Sequence, residues 1–189
     1  MNFNILIIFS SVIILATAVL RVYNYIINTD YERCTGMTDG QKRLEEHMAR
    51  TIYENNVNQK DLINGMMQAE AAGCSYEDGT LSFAFPVQKW QTNRVGSLHG
   101  GIIATAFDLT VAALARFYAG ENFAPTVSLD IKYVRPAREG DTVIVTARKI
   151  AAGRRISQLV CEARDKATGK VIATGASVYL NIDTDKERR

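Results

Sequence analysis

The sequence predicts an α+β fold in which an antiparallel sheet wraps round one long central helix. Three observations predict it. Residues 100–118 (GGIIATAFDLTVAALARFY) are a proline-free, largely apolar stretch of helical length, closed by Gly120 as a terminator. One strand-like run precedes this helix and four follow it. The later connections, Ala152-Gly153-Arg154 and Lys166-Ala167-Thr168-Gly169, carry turn residues, so the last three runs should form an antiparallel meander.

The chain begins with a different signal. Residues 1–20 carry no charged side chain, and residues 5–20 (ILIIFSSVIILATAVL) are almost wholly apolar. Continued to Ile27, with Arg21 snorkelling, the stretch is long enough to span about 30 Å of hydrocarbon. Residues 1–27 are therefore expected to be a transmembrane anchor. A cleaved signal peptide is the alternative, because Ala16-Thr17-Ala18 resembles a cleavage site, although no positive charge precedes the apolar run. Arg21, Arg33, Lys42 and Arg43 all follow that run, and this bias places the remainder on the cytoplasmic side of a membrane. A mitochondrial location is the alternative.

Residues 28–72 are expected to be a helical linker region. Leu44, Met48 and Ile52 recur at spacings of four within residues 39–55, the stripe of an amphipathic helix. A second short helix is expected over residues 60–72. His47 lies beside the apolar stripe and reads as a packing or solvated histidine. The main domain is expected over residues 73–182. Its first strand is residues 80–87, where Leu81, Phe83 and Phe85 alternate with smaller or polar side chains and Pro86 ends the pairing. After the helix, Val127, Leu129, Ile131 and Tyr133 alternate with Ser128, Asp130 and Lys132. Val143, Val145 and Ala147 do the same in the next run, and residues 157–165 and 171–182 continue the series. Residues 183–189 form a charged tail with nothing apolar to bury.

Composition removes several function classes. With 22 Lys+Arg against 20 Asp+Glu, the net charge of +2 leaves no basic field to hold a nucleic-acid backbone. The three cysteines, Cys34, Cys74 and Cys161, are odd in number and widely spaced, which speaks against a disulfide framework or a zinc site. They read as reduced thiols, and no metal site is expected.

The central helix contains one anomaly. Ala104, Asp108, Ala112 and Ala115 share a stripe, so a carboxylate stands among alanines that allow close packing. An ionised group there loses solvation unless something partners it. It is either a structural acceptor at a polar groove or subunit boundary, or a functional carboxylate. Immediately before it, Gly100 and Gly101 put unencumbered N–H groups at the positive end of the helix, where an oxyanion could be held. Taken alone, a Gly-Gly helix start is equally a tight turn.

Asn93-Arg94-Val95-Gly96-Ser97-Leu98-His99-Gly100-Gly101 followed by Asp108 resembles the signature of the hotdog-fold thioesterases related to the phenylacetate-pathway enzyme and to the animal acyl-CoA thioesterase 13 group. The resemblance runs from about Gly73 to Ile182 and includes Tyr133-Val134-Arg135-Pro136-Ala137. It implies a hotdog fold and hydrolysis of acyl-CoA thioesters. It further implies Asp108 as the general base, or else a nucleophile forming a mixed anhydride, and Gly100 N–H as the oxyanion donor. Asn93 would orient the water or the thioester. His99 would fix the loop and the carbonyl through its ring N–H, with Gly101 beside it on the substrate. A hydroxyl residue after the helix is also implied, and Thr126 and Ser128 are both eligible, Thr126 ranking first. The family's sites lie between subunits, so a homodimer or homotetramer is expected.

That assignment is chemically coherent. A thioester carbonyl is electrophilic and its thiolate leaves easily, so one base and one oxyanion donor can suffice. No G-x-S-x-G elbow is present, and Cys161 has no histidine nearby in sequence. Arg135, Arg154 and Arg155 are candidates for the coenzyme A phosphates. No cofactor is expected beyond the coenzyme A of the substrate. Ile103, Phe107 and Val111 either line an acyl tunnel or are simply core. Two other readings stay open: a non-catalytic acyl- or lipid-binding module, and an enoyl-thioester hydratase or dehydratase.

Overall fold

A computed structural model describes residues 38–183. The expected anchor, residues 1–27, lies outside the described residues, as does the tail beyond Asp183. From Gly40 onward the chain forms one unit.

Helix α1 (Asp39–Tyr53) buries Leu44 and Met48, as their spacing requires, and runs on into a π-helical turn over Glu54–Asn58. It is fastened to the long central helix by His47, whose Nε2–H donates to the carbonyl of Ala113 at 2.8 Å while its ring meets Phe117 edge-on. Burial holds the His47 pKa below the usual range, and Arg116 and Arg50 push the same way. His47 is a packing residue. The expected helix over residues 60–72 is corrected: only α2 (Ile63–Met66) is helical, and β1 (Glu70–Ser75) is already strand. The alanine-rich run there satisfied a helix pattern locally, but its backbone pairs with β2 (Thr80–Pro86), from Glu70↔Ala84 to Ser75↔Thr80. The part of the expected linker that is described is thus packed into the domain.

Helix α3 (Gly100–Ala119) follows, then β3 (Thr126–Tyr133), β4 (Thr142–Ala152), β5 (Ile156–Asp165) and β6 (Val171–Leu180). The six strands pair antiparallel in the order β1-β2-β4-β5-β6-β3. The expected β4-β5-β6 meander is present. Period-2 alternation turns Phe83, Val145, Leu159 and Ala173 towards α3, and all are almost wholly buried. Phe107, Val111 and Leu114 meet them from the helix with no exposure, each contributing about 1.5–3 kcal/mol. That core role accounts for the hydropathy of α3, which by length and composition alone could cross a bilayer. Close approach of helix and sheet depends on Gly175, where a Cβ would come within 3.0 Å of the Phe107 ring and 2.8 Å of the Asp130 carbonyl.

The sheet leaves β3 as an edge. Its side chains are mostly exposed, with Val127 at 57% and Tyr133 at 55%. On the neighbouring flank of α3, Ala104, Asp108 and Ala112 are only half-buried. Small side chains and a free strand edge thus lie side by side.

Candidate active site

Asp108 sits two turns into α3 and faces the β3–β6 edge. Its Oδ1 accepts two hydroxyl hydrogen bonds, from Thr126 Oγ1 at 2.9 Å and from Tyr179 OH at 2.9 Å. No side chain among the described residues donates to Oδ2. The carboxylate is therefore held in one orientation with one oxygen free, the arrangement a proton acceptor needs.

Strand register explains which hydroxyls arrive there. Thr126 pairs with Tyr179, so the two share a face, while an irregularity at Val127 sets Ser128 opposite Val178 instead. Thr126, and not Ser128, is the hydroxyl on Asp108. Ser128 contributes only its carbonyl, which accepts from Ser177 Oγ at 2.6 Å. The Tyr179 contact was not anticipated, because an inward tyrosine on an alternating strand reads as core. Tyr179 is wholly buried, and burial together with the Asp108 carboxylate drives its phenol pKa upward, so it stays a donor.

The second cluster lies at the start of α3. His99 is the N-cap (φ −66°, ψ 137°), and its Nδ1 accepts the Gly101 N–H at 3.0 Å, which leaves the ring N–H on Nε2. The Gly101 N–H, expected to face the substrate, is engaged by the His99 ring within the chain. The Gly100 N–H has no acceptor among the described residues. Tyr133 OH donates to the Gly100 carbonyl at 2.9 Å and lies over the glycine, where a Cβ would meet the ring at 3.3 Å. Asn93 shapes the loop before it: Oδ1 accepts from Val95 N and Ser97 N, and Nδ2 donates to Ser97 Oγ at 2.9 Å. Gly96 closes that turn at φ +74°.

Gly100 and Tyr133 border a groove of about 320 Å³ whose lining also includes Ser97, Leu98, Ile103 and Arg135. Arg135 is exposed at its rim and donates from Nη1 to the Val171 carbonyl. Arg154 and Arg155 are elsewhere. They occupy the β4–β5 turn, where the Arg155 carbonyl accepts from Asn181 N beyond the Tyr179 end of β6. Phe107 and Val111 are sealed core rather than tunnel, and only Ile103 of the three reaches the groove.

The two clusters do not meet within one chain. Asp108 lies eight residues beyond Gly100 on a continuous helix, about 12 Å at 1.5 Å per residue. A carbonyl at the Gly100 N–H is out of reach of a water held by the same chain's Asp108. Among the described residues no group of histidine, cysteine and carboxylate side chains is placed to hold a metal ion.

Comparison with known proteins accords with this layout. Residues 95–172 match the profile of the thioesterase superfamily. Acyl-coenzyme A thioesterase 13 of Homo sapiens is 37% identical over 99 residues, covering 51% of this chain and 69% of the human protein. Among solved structures, the E. coli PaaI protein from the phenylacetic acid degradation operon superposes with a TM-score of 0.65 at 19% identity, over 77% of this chain and 97% of its own. Zebrafish thioesterase superfamily member 2 gives 0.61 at 21% identity, over 76% and 99%. The fold is accordingly the hotdog type, and the chain belongs to the thioesterase superfamily and is a thioester hydrolase.

Proposed function

We propose that the chain hydrolyses acyl-CoA thioesters to a free carboxylic acid and coenzyme A, at sites built between two copies. Asp108 Oδ2 of one copy takes a proton from water, and the water oxygen attacks the thioester carbonyl carbon. The Gly100 N–H of the other copy binds the oxyanion that forms. When the tetrahedral intermediate collapses, the carbon–sulfur bond breaks and the thiolate leaves as coenzyme A, taking up the proton Asp108 received. His99 Nε2–H and the remaining Asn93 Nδ2–H would orient the carbonyl and the water. Attack of Oδ2 itself on the carbonyl, through a mixed anhydride, is the alternative route. Arg135 at the groove rim would meet coenzyme A phosphates.

The observation that carries this reading is the free Gly100 N–H about 12 Å along the helix from the half-satisfied carboxylate. Each chain supplies half of two sites. The exposed β3 edge supports the assembly, since an unpaired strand is a template for a second copy, and a homodimer, alone or within a homotetramer, would appose the halves. On sequence alone, residues 1–27 would attach this assembly to a membrane with the catalytic unit on the cytoplasmic side. The test is thiol release from acyl-CoA by the full-length protein. Asp108→Asn should lower kcat by about a hundredfold or more. A loss below tenfold, about 1.4 kcal/mol of barrier, would remove Asp108 from its role.

A further inference from the structure

Beneath the groove lies a second space. It is a small apolar pocket between the first two turns of α3 and strands β2 and β4, bounded by Phe85, Val145, Leu98, Ile103, Gln91 and Met67. Leu98 and Ile103 border both the pocket and the groove beside Gly100, so the two spaces share a wall. The free space inside is about 10 Å³, roughly one water. Its lining is apolar apart from Gln91, so water would find few partners there.

Met67 belongs to the pocket's lining. It is 1% exposed, and its sulfur receives the Gln91 Nε2–H at 3.7 Å. Gln91 is itself fixed, because its Oε1 accepts from Gln88 N at 2.9 Å and its carbonyl accepts from His99 N at 2.9 Å. One buried residue thus links the thioether to the N-cap of α3. A carbonyl at the Gly100 N–H has its chain directed either outward along the groove or inward past Leu98 and Ile103. The inward course offers the more enclosed cover, since Met67, Phe85 and Val145 are buried where Tyr133 and Val134 of the groove are exposed.

We propose that the acyl chain turns inward between Leu98 and Ile103 and ends against Met67, which sets the length of acyl group the enzyme prefers. This rests on the acyl-CoA reading above. Met67 is suited to the place, being apolar and adaptable, and with little free space before it the pocket stops a chain early. Gln91 acts as a positioning residue that holds the thioether across the pocket.

The test measures kcat/KM of the full-length protein on straight-chain acyl-CoAs of increasing length. Met67→Ala should move the optimum about two carbons longer, in keeping with the side-chain atoms removed. Each methylene that gains cover should add about fourfold. Ile103→Phe should narrow the shared wall and shift the optimum shorter. Thermal melts establish which variants fold, with Met67→Val standing in for Met67→Ala and Leu98→Phe for Ile103→Phe. Folded variants that keep the wild-type length profile would overturn the proposal. The same series as non-hydrolysable thioether analogues, followed by calorimetry, separates the two readings. Binding whose length dependence responds to Met67→Ala supports the pocket even without turnover, whereas wild-type binding with no thiol release defeats only the hydrolase mechanism.

Discussion

The Tyr179 phenol on β6 donates to Asp108 Oδ1 on α3 at 2.9 Å. With Thr126 it makes a pair of hydroxyls that share one face because their strands pair at those positions. Hydrogen bonds to charged groups contribute about 1.5–3 kcal/mol, enough to hold a carboxylate in one rotamer.

Tyr179→Phe and Thr126→Val should each lower kcat about tenfold with KM little changed, since each removes a hydroxyl that aims the base and leaves the substrate groove intact. Ser128→Ala, on the other face, should stay within twofold of wild type. Steady-state kinetics together with thermal melts check this. A purely structural tyrosine would lower the melting temperature and leave kcat where it was.

Much of this site was legible in the sequence, and the exceptions have a common cause. Asp108 announced itself by interrupting alanines on a helical stripe, and Gly100 by its place at the helix start. Both signals are local, readable from spacing within a few residues. Tyr179 is 71 residues from Asp108, and only the pairing Thr126↔Tyr179 brings it there. The irregularity at Val127 decided between Thr126 and Ser128, and a register shift of that kind leaves no composition signal. Strand β1 was missed for the same reason: Glu70–Ser75 gains its conformation from β2, against the helical preference of its alanines. The bond from Gly101 N–H to the His99 ring depends on one side-chain rotamer, which spacing does not encode.

Gly100→Pro offers a direct test of the oxyanion donor. Gly100 is the first residue of α3, where proline is tolerated because that N–H has no helical acceptor. The preceding residue must be extended, and His99 already is, at φ −66° and ψ 137°. The substitution therefore deletes one N–H and spares the helix, with the exposed Tyr133 ring giving way to the new side chain. The expected result is a loss of about 10²–10³ in kcat with a melting temperature near that of wild type. Gly100→Ala keeps the N–H and should retain most activity. Equal losses in the two variants would point to crowding against Tyr133 instead.

Stability should fall on the alkaline side. Burial pushes the Cys161 thiol up to about 12 from an ordinary value near 9, so the folded chain keeps its proton over a range in which the unfolded chain gives it up. A raised folded pKa contributes stability that is complete below pH 9 and is lost as pH rises from there towards 12. Between pH 8 and pH 10 the loss should be about 1 kcal/mol. Cys74, raised to about 11 by burial and the neighbouring Glu45, adds in the same direction. Denaturant titrations across this range should show the decline, and Cys161→Ala should flatten it while lowering stability at neutral pH through lost packing.

Sharing of the site between copies can be tested by complementation. Asp108→Asn and Gly100→Pro each disable one half-site, and each homodimer should be nearly inactive. If one copy's Asp108 serves the other's Gly100, a mixed dimer contains one site with both defects and one site with neither. Random exchange makes half of the dimers mixed, so the mixture should recover about a quarter of wild-type activity. If both groups came from one chain, every site in the mixture would carry one defect and nothing would be recovered. The first case is the one the proposed mechanism requires, because about 12 Å of α3 lies between the two groups within one chain. Co-expression of two differently tagged copies followed by tandem purification isolates the mixed dimers, which should show about half of wild-type activity per dimer in a thiol-release assay, and activity that stays at the level of the homodimers would refute the shared site.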